Sequence, residues 1–356
     1  DGAREGDRFL RADPALLHHL RHLSRARRPE HEGGEPGGIF PQLRTQAVVA
    51  RLKPQKLEIV VAEDPQVLAG SQRVISGAFL SVAHRAAAGL PRRIVSLDYG
   101  LASTLLSLGV VPAAISALAD WDKWVVEPPM PPGVVDLGST WEVNFEILVA
   151  LKPDLILTTP YVAFLESRLE KIAPVLRLEI YSPEGGDVLP KAIDATRRLG
   201  QAIGMEAEAE AFLARADGMF EDYRRRNEAV GSPPVALLNF VDARHVRVNG
   251  PPGLFDSVLH RIGLTNAWDS ETNYWGFQTI GIEQLAIIED SDVRLFAFEP
   301  LPPDALPTLS KSPLWTALPF TGSDQFAVIP SIFAYGMVND GLRFARLITD
   351  RLHGKT

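Results

Sequence analysis

The sequence predicts an α/β protein built as two similar α/β lobes joined by one long bridging helix. Three observations carry that expectation. The chain has 356 residues, more than a single hydrophobic core usually organises. An ordered series of short elements occurs twice along it. Between the two occurrences stands one uninterrupted helical pattern. The composition agrees with a globular protein, at 46% apolar and 22% charged residues. No apolar run approaches the roughly 18 residues of a membrane span. The longest candidate, 109–119, is interrupted by Pro112. The chain contains no cysteine, which removes disulfides, thiolate metal sites and cysteine nucleophiles together. A net charge of −8 argues against general affinity for nucleic acid or an anionic membrane.

The first 90 residues differ from the rest. They carry 13 basic and 10 acidic residues, or +3, whereas 91–356 carry 23 and 34, or −11. All six Trp and all six Tyr lie beyond residue 90. The basic and Gly-rich stretch over 18–38 buries little and reads as flexible. His18 and His22 could share a helix face and hold a metal, but no carboxylate or thiol is spaced to complete a shell, so a solvated basic helix is the better reading. The stretch 73–88 opens on a single Arg, Arg73, continues in a short apolar run and ends in small residues, as a secretory signal does, although His84-Arg85 interrupt the approach to the cleavage site. The same residues suit a short amphipathic helix, and both readings stand. Asp1 rather than Met opens the chain, so a fragment or processed product is expected, with 1–72 upstream of the natural start if the export reading holds. The expected division is an N-terminal segment 1–90, a first lobe 91–187, the bridging helix 188–205 and a second lobe 206–352.

From Pro91 the elements follow in order. Residues 94–97 form a short strand, and 101–108 a helix that Gly109 ends. In the second half 235–240 is a strand, and a helix from about 254 to 262 ends at Gly263. Ser107-Leu-Gly-Val-Val-Pro-Ala113 parallels Arg261-Ile-Gly-Leu-Thr-Asn-Ala267. Glu146-Ile-Leu148 followed by Asp154-Leu-Ile-Leu157 parallels Glu283-Gln-Leu285 followed by Asp292-Val-Arg-Leu295. Each half therefore reads strand, helix, Gly, aromatic stretch, Glu-led helix, strand. The bridge keeps Ile193, Leu199 and Ile203 at helical spacing. A second helix, from Glu206 to about Ala229, carries Phe212, Leu213, Phe220 and Tyr223 on its apolar face. A single bridging helix of this length spans roughly 25 Å and permits small rocking more readily than wide closure.

Catalytic signals are missing. Of the histidines beyond residue 90, His245, His260 and His353, none sits in a nucleophile, zinc or general-base motif. No Walker loop, Gly-x-Ser-x-Gly or dinucleotide fingerprint occurs, so no enzyme and no resident metal or cofactor is expected. Asp98 stands beyond the first strand, where sites often form, yet a lone Asp there caps a helix. What the sequence offers is aromatic loops: Trp121 and Trp124 in a Pro-rich segment, Trp141, Tyr161, then Trp268, Tyr274 and Trp275, then Phe333 and Tyr335. They belong to both halves and can face one another across a cleft suited to a bulky, partly apolar small molecule. Half or more of such rings are core packing, with Trp315 the clearest of these.

Several segments together resemble one family. These are Trp124-Val-Val-Glu-Pro-Pro-Met-Pro131, Val135-Asp-Leu-Gly138, Glu142-x-Asn-x-Glu146, Lys171-Ile-Ala-Pro174, Arg244-His245, Glu271-Thr-Asn-Tyr-Trp-Gly276, Pro313-Leu-Trp-x-Ala-Leu-Pro-Phe320 and Tyr335-Gly336. From about Pro91 to Leu352 the chain resembles the periplasmic ferric-hydroxamate-siderophore-binding proteins of ABC importers. The resemblance implies two lobes joined by a long helix, a ferric siderophore in a shallow cleft between them, a periplasmic location, and a monomer that delivers its cargo to an inner-membrane permease. Such a siderophore supplies all the oxygen ligands, so the iron needs none from the protein. Carried over by position, Trp124, Asn273, Trp275, Phe333 and Tyr335 would line the cleft, with Trp141 beside them and Tyr161 one place from a family tyrosine. Glu146 and Glu283 would meet arginines on the two permease halves. Two positions depart from the family. Thr140 replaces a cationic arginine, which removes a charge-assisted donor of about 1.5–3 kcal/mol, and Phe277 replaces a polar residue. A hydroxamate other than ferrichrome, or a chelate held more by stacking, is the consequence. Another bulky cargo such as a corrinoid or haem would suit the same cleft, and an enzyme on a related two-lobed fold is the remaining class.

Overall fold

The computed structural model describes residues 90–354 apart from 291 and 323. The first 89 residues, and with them His18, His22 and the signal-like stretch 73–88, lie outside the described residues.

Two five-stranded sheets organise the described chain. The first is wholly parallel, in the order β3-β2-β1-β4-β5, with β1 Ile94–Ser96, β2 Ala114–Ile115, β3 Val135–Asp136, β4 Leu155–Thr158 and β5 Val175–Arg177. β1 is buried on both faces: Ile94 enters a core shared with the bridging helix, and Val95 enters the core on the other side of the sheet. Parallel strands covered on both faces read as unbroken apolar runs, which is how 94–97 and 155–157 look in the sequence. The helix that follows β1, Tyr99–Ser107, is capped by Asp98, whose Oδ1 accepts from the Leu101 N–H at 2.9 Å.

The second sheet runs β10-β9-β6-β7-β8, with β6 Val235–Phe240, β7 His245–Asn249, β8 Phe277–Gly281, β9 Arg294–Phe298 and β10 Phe326–Ile329. Here the lobes differ. β6, β9 and β10 are parallel, but β6, β7 and β8 pair antiparallel. The bridge-like pairing of Val235 with Asn266 is what matches the β1–β2 pair of the first lobe. The Glu283 segment also departs from expectation: Ile282–Ile287 is a 3₁₀ helix, whereas Glu146 lies in an α-helix, Phe145–Leu151. Six residues between extended flanks, Gly281 and Ile288, leave no room for a sustained α ladder.

The bridging helix, Val188–Ile203, ends at Gly204 in the left-handed conformation. It buries Leu189, Ala192, Ala195, Leu199 and Ile203. The Glu206–Val230 helix then turns back with Phe212, Leu213, Phe220 and Tyr223 buried, as its spacing predicts. The C-terminal helix, Val338–Leu352, does not stay in its own lobe. Asn339 Nδ2 donates to the Ser103 carbonyl at 2.9 Å and to Ser107 Oγ at 2.6 Å, both on the first lobe's Tyr99–Ser107 helix. Its Arg343 and Arg346 donate to Glu127 Oε1 at 2.5 and 2.8 Å, in the first lobe's Pro-rich loop. The lobes are thus stitched by a returning helix as well as by the bridge.

Candidate functional site

The aromatic side chains sort into two sets. Trp315 and Trp268 are buried in the outer core of the second lobe, with Trp315 against Phe240 and Phe326. Trp121 is buried in the first lobe, edge-on to Tyr99. A further group of rings forms a continuous series from one lobe to the other. Trp141 stacks on Phe164 with centroids 5.7 Å apart and meets Tyr161 at 4.8 Å. Tyr161 meets Trp275 edge-to-face at 5.9 Å, and this pair joins the lobes. Trp275 contacts Tyr335 at 5.4 Å, and Tyr335 contacts Phe333 and Phe277 at 6.0 and 6.4 Å.

Local structure holds each ring. Trp141 lies in the loop that leaves β3, which turns at Gly138 with φ +78°. Tyr161 follows β4 in a 3₁₀ segment opened by Pro160. Trp275 sits in a tight turn made by Asn273, whose Oδ1 accepts from the N–H groups of Trp275 and Phe277 at 3.0 and 3.3 Å. The Gly276 carbonyl accepts from the Gly250 N–H at 2.9 Å, and Gly276 has φ +80°. A Cβ on Gly276 would stand 2.1 Å from Gly253 Cα, so only glycine lets these two loop backbones touch.

Of the positions expected in the cleft, Trp141, Tyr161, Trp275, Phe277, Phe333 and Tyr335 join this series. Asn273 is exposed and shapes the turn rather than presenting its oxygen outward. Thr140 is half-buried beside Trp141, and its hydroxyl donates to Ser116 Oγ at 3.2 Å. Trp124 ends the short helix Trp121–Trp124 with Lys123 over its ring at 4.6 Å, and it stands apart from the ring series of the described residues. Glu146 and Glu283 are both exposed, one on each lobe.

Three rings went unread in the sequence. Phe164 lies three residues after Tyr161 in the same 3₁₀ segment, and both rings meet Trp141. Tyr99 follows β1 directly and reaches Phe333 of the other lobe at 5.3 Å. Tyr181 stacks on Trp275 at 5.4 Å, and its hydroxyl donates to the Ala334 carbonyl at 2.8 Å. Tyr99 and Tyr181 both lie beyond the C-terminal ends of parallel strands, the place where α/β sheets gather ligands. That rule was the available signal. Burial raises the hydroxyl pKa of Tyr161 to about 12, and it pushes those of Tyr181 and Tyr335 upward too. These tyrosines are therefore neutral hydroxyls at physiological pH, able to donate or accept a hydrogen bond. Among the described residues no three His, Asp or Glu side chains converge as a metal-holding group. Among them, too, no helix is long and apolar enough to cross a membrane.

The sequence pattern of the family described as periplasmic binding protein matches residues 94–332. The iron(3+)-hydroxamate-binding protein FhuD of Escherichia coli K12 is 31% identical over 276 residues, covering 78% of this chain and 92% of its own length. The achromobactin-binding periplasmic protein of Dickeya dadantii is 29% identical over 187 residues, covering 49% of this chain and 56% of its own. Among solved structures, the siderophore-binding protein FhuD from Vibrio cholerae with bound Fe3+–Desferal superposes with a TM-score of 0.68 at 27% identity, covering 73% of this chain and 97% of its own.

Proposed function

The chain belongs to the periplasmic binding protein family, and from that premise we propose that it captures a ferric siderophore of hydroxamate type between its lobes and delivers it to an ABC permease for iron uptake. It is a binding protein, not an enzyme. One observation carries the reading of the site: the unbroken ring series from Trp141 and Tyr161 of one lobe to Trp275 and Tyr335 of the other. A hexadentate ferric chelate holds its own iron and shows the protein a rigid, partly apolar exterior with a few oxygens. Aromatic walls with neutral hydroxyls complement that exterior, and no side chain has to enter the iron's coordination sphere. The work is done as a monomer in the periplasm.

Tryptophan-fluorescence titration of residues 90–356 tests this directly. Ferric siderophores are expected to quench the emission saturably and the iron-free forms to bind more weakly. The same panel includes haem and a corrinoid. Preference for either of these over every ferric siderophore would overturn the assignment.

Delivery places a second demand on the surface. Glu146 and Glu283 stand exposed near the starts of equivalent segments, one per lobe. Exposed apolar residues, Val149 and Ile287, follow one turn later in each case. We assign these matched patches to the two halves of the permease, since charge complementarity governs encounter and register. Glu146→Ala combined with Glu283→Ala is expected to abolish uptake while siderophore affinity and melting temperature stay within error of the parent. Normal uptake by the double variant would remove both residues from the docking surface.

A further inference from the structure

The second lobe holds a cation for which the described residues provide no ion-pair partner. Arg247 lies on β7 between Asn239 of β6 and Thr279 of β8. Its neighbours Val246 and Val248 point into the outer core of the lobe, so Arg247 leaves the strand on the opposite face. There its guanidinium lies 5.0 Å from the centre of the Phe277 ring, which itself touches Tyr335. Several other half-buried or buried arginines find carboxylates: Arg226 pairs with Asp350, Arg261 with Asp217 and Glu221, Arg343 with Glu127. Among the described residues no carboxylate pairs with Arg247, and its Nε is buried without a hydrogen-bond partner.

A guanidinium with a buried, unpartnered nitrogen and no counter-charge among the described residues is better satisfied once an anion arrives, and its planar fork then offers charge-assisted bonds to paired oxygens. Phe277, which looked like the loss of a polar group, is the surface on which this cation lies. Thr140, on the other lobe, contributes only a hydroxyl already engaged by Ser116. We propose that Arg247 is the cationic anchor of the cleft and selects ferric chelates that turn an anionic oxygen, such as a free carboxylate, toward the second lobe. The inference rests on the siderophore reading and narrows it to chelates of net negative charge.

The test titrates the protein and two variants, Arg247→Gln and Arg247→Lys, with three ferric chelates: a net-negative mixed hydroxamate–carboxylate, a neutral trihydroxamate and a net-positive trihydroxamate. The parent is expected to bind the negative chelate most tightly. Arg247→Gln is expected to weaken that chelate by about tenfold or more, the scale of a charge-assisted hydrogen bond, and the other two by less than about threefold. Arg247→Lys keeps the charge and is expected to keep the order of preference. Should Arg247→Gln fail to fold, the order measured with Arg247→Lys decides, and its loss would overturn the anchor. Equal weakening of all three chelates by Arg247→Gln, or none, also overturns it. A parent that binds the three alike defeats the anchor and leaves the siderophore reading standing. A parent that binds none of them defeats the siderophore reading itself.

Discussion

Trp275 gathers ring contacts from both lobes: Tyr161 and Tyr181 from the first, Tyr274 and Tyr335 from the second. A central aromatic in such a position behaves as a binding anchor, and Trp275→Ala should lose about 1–3 kcal/mol of siderophore affinity. Fluorescence titration on the remaining tryptophans measures this, and unchanged affinity for every bound chelate would remove Trp275 from the site. Gly276→Ala approaches the same ring from behind. The added methyl meets the Gly253 backbone and the residue is held at positive φ, so the turn carrying Trp275 must move. The expected result is a lower melting temperature together with weakened binding, and parental values of both would show that the turn yields freely. At this scale the sequence was a good guide to large side chains and a poor one to their partners. Trp275, Tyr335 and Tyr161 are legible because aromatic residues in Gly- and Pro-rich loops stand out. Tyr181 was not legible because its role depends on a carbonyl 153 positions away, at Ala334. Arg247 was hidden for a different reason: an arginine in a strand is ordinary until its missing partner is seen.

The elements show where periodicity suffices. The Val188–Ile203 bridge, the Leu254–Arg261 helix and β6 were readable from apolar spacing and from the glycines that end the helices. β7 and β8 were not, because His245-Val-Arg-Val-Asn249 and Phe277-Gln-Thr-Ile-Gly281 are short, polar on one face and joined through a distant loop. That antiparallel addition carries both Arg247 and Phe277, so the part of the second lobe least apparent in the sequence is also the part on which the proposed anchor rests. Two helix starts yield a prediction of their own. Asp98 precedes the Tyr99–Ser107 helix, and Asp340 lies in the first turn of the C-terminal helix that packs on it. Burial raises the carboxyl of Asp98 to a pKa of about 6 and that of Asp340 to about 7, the latter pushed further by the Asp98 charge. Asp340 is 1% exposed, while Asp98 retains some solvent contact and contributes the smaller share. A carboxyl whose pKa is raised on folding favours the folded state in its protonated form. The contribution is complete below the unfolded value near 4 and is lost as pH rises through about 6 to 7. The melting temperature should therefore gain on acidification from pH 7.5 to pH 5 (a span on the order of two pH units around these pKa values). Asp340→Asn should flatten much of that slope. A variant with the parental pH profile would show that Asp340 is ionised at low cost.

At the scale of the whole described chain, the question is how far the lobes can move when the cleft fills. Wide closure needs a hinge of few residues that absorb large backbone rotations. Here the connection is a helix, and the C-terminal helix crosses back to bind the first lobe at three places: Asn339 on Ser103 and Ser107, Met337 against Gly100, and Arg343 with Arg346 on Glu127. Gly100 is a close approach in its own right, since a Cβ there would stand 2.9 Å from Met337 Cγ. Tyr181 adds a fourth tie through the Ala334 carbonyl. Opening the lobes by a hinge would break these contacts together, including a buried arginine's ion pair, whose loss leaves an uncompensated charge. Rocking of a few degrees about the helix leaves them intact. The absence of cysteine makes the distinction measurable, because introduced thiols are the only ones available for labelling. Val149→Cys and Ile287→Cys place spin labels on exposed positions, one on each lobe beside the residues assigned to permease docking. Their separation should change by no more than about 2–3 Å when a ferric siderophore is added, the amplitude of packed elements sliding rather than of a hinge closing. In Glu127→Ala the two guanidinium groups lose their shared carboxylate, and the distance distribution should broaden without a new maximum. A shift of the main distance by about 10 Å on loading would be hinge closure, and it would mean that the returning helix detaches during the binding cycle.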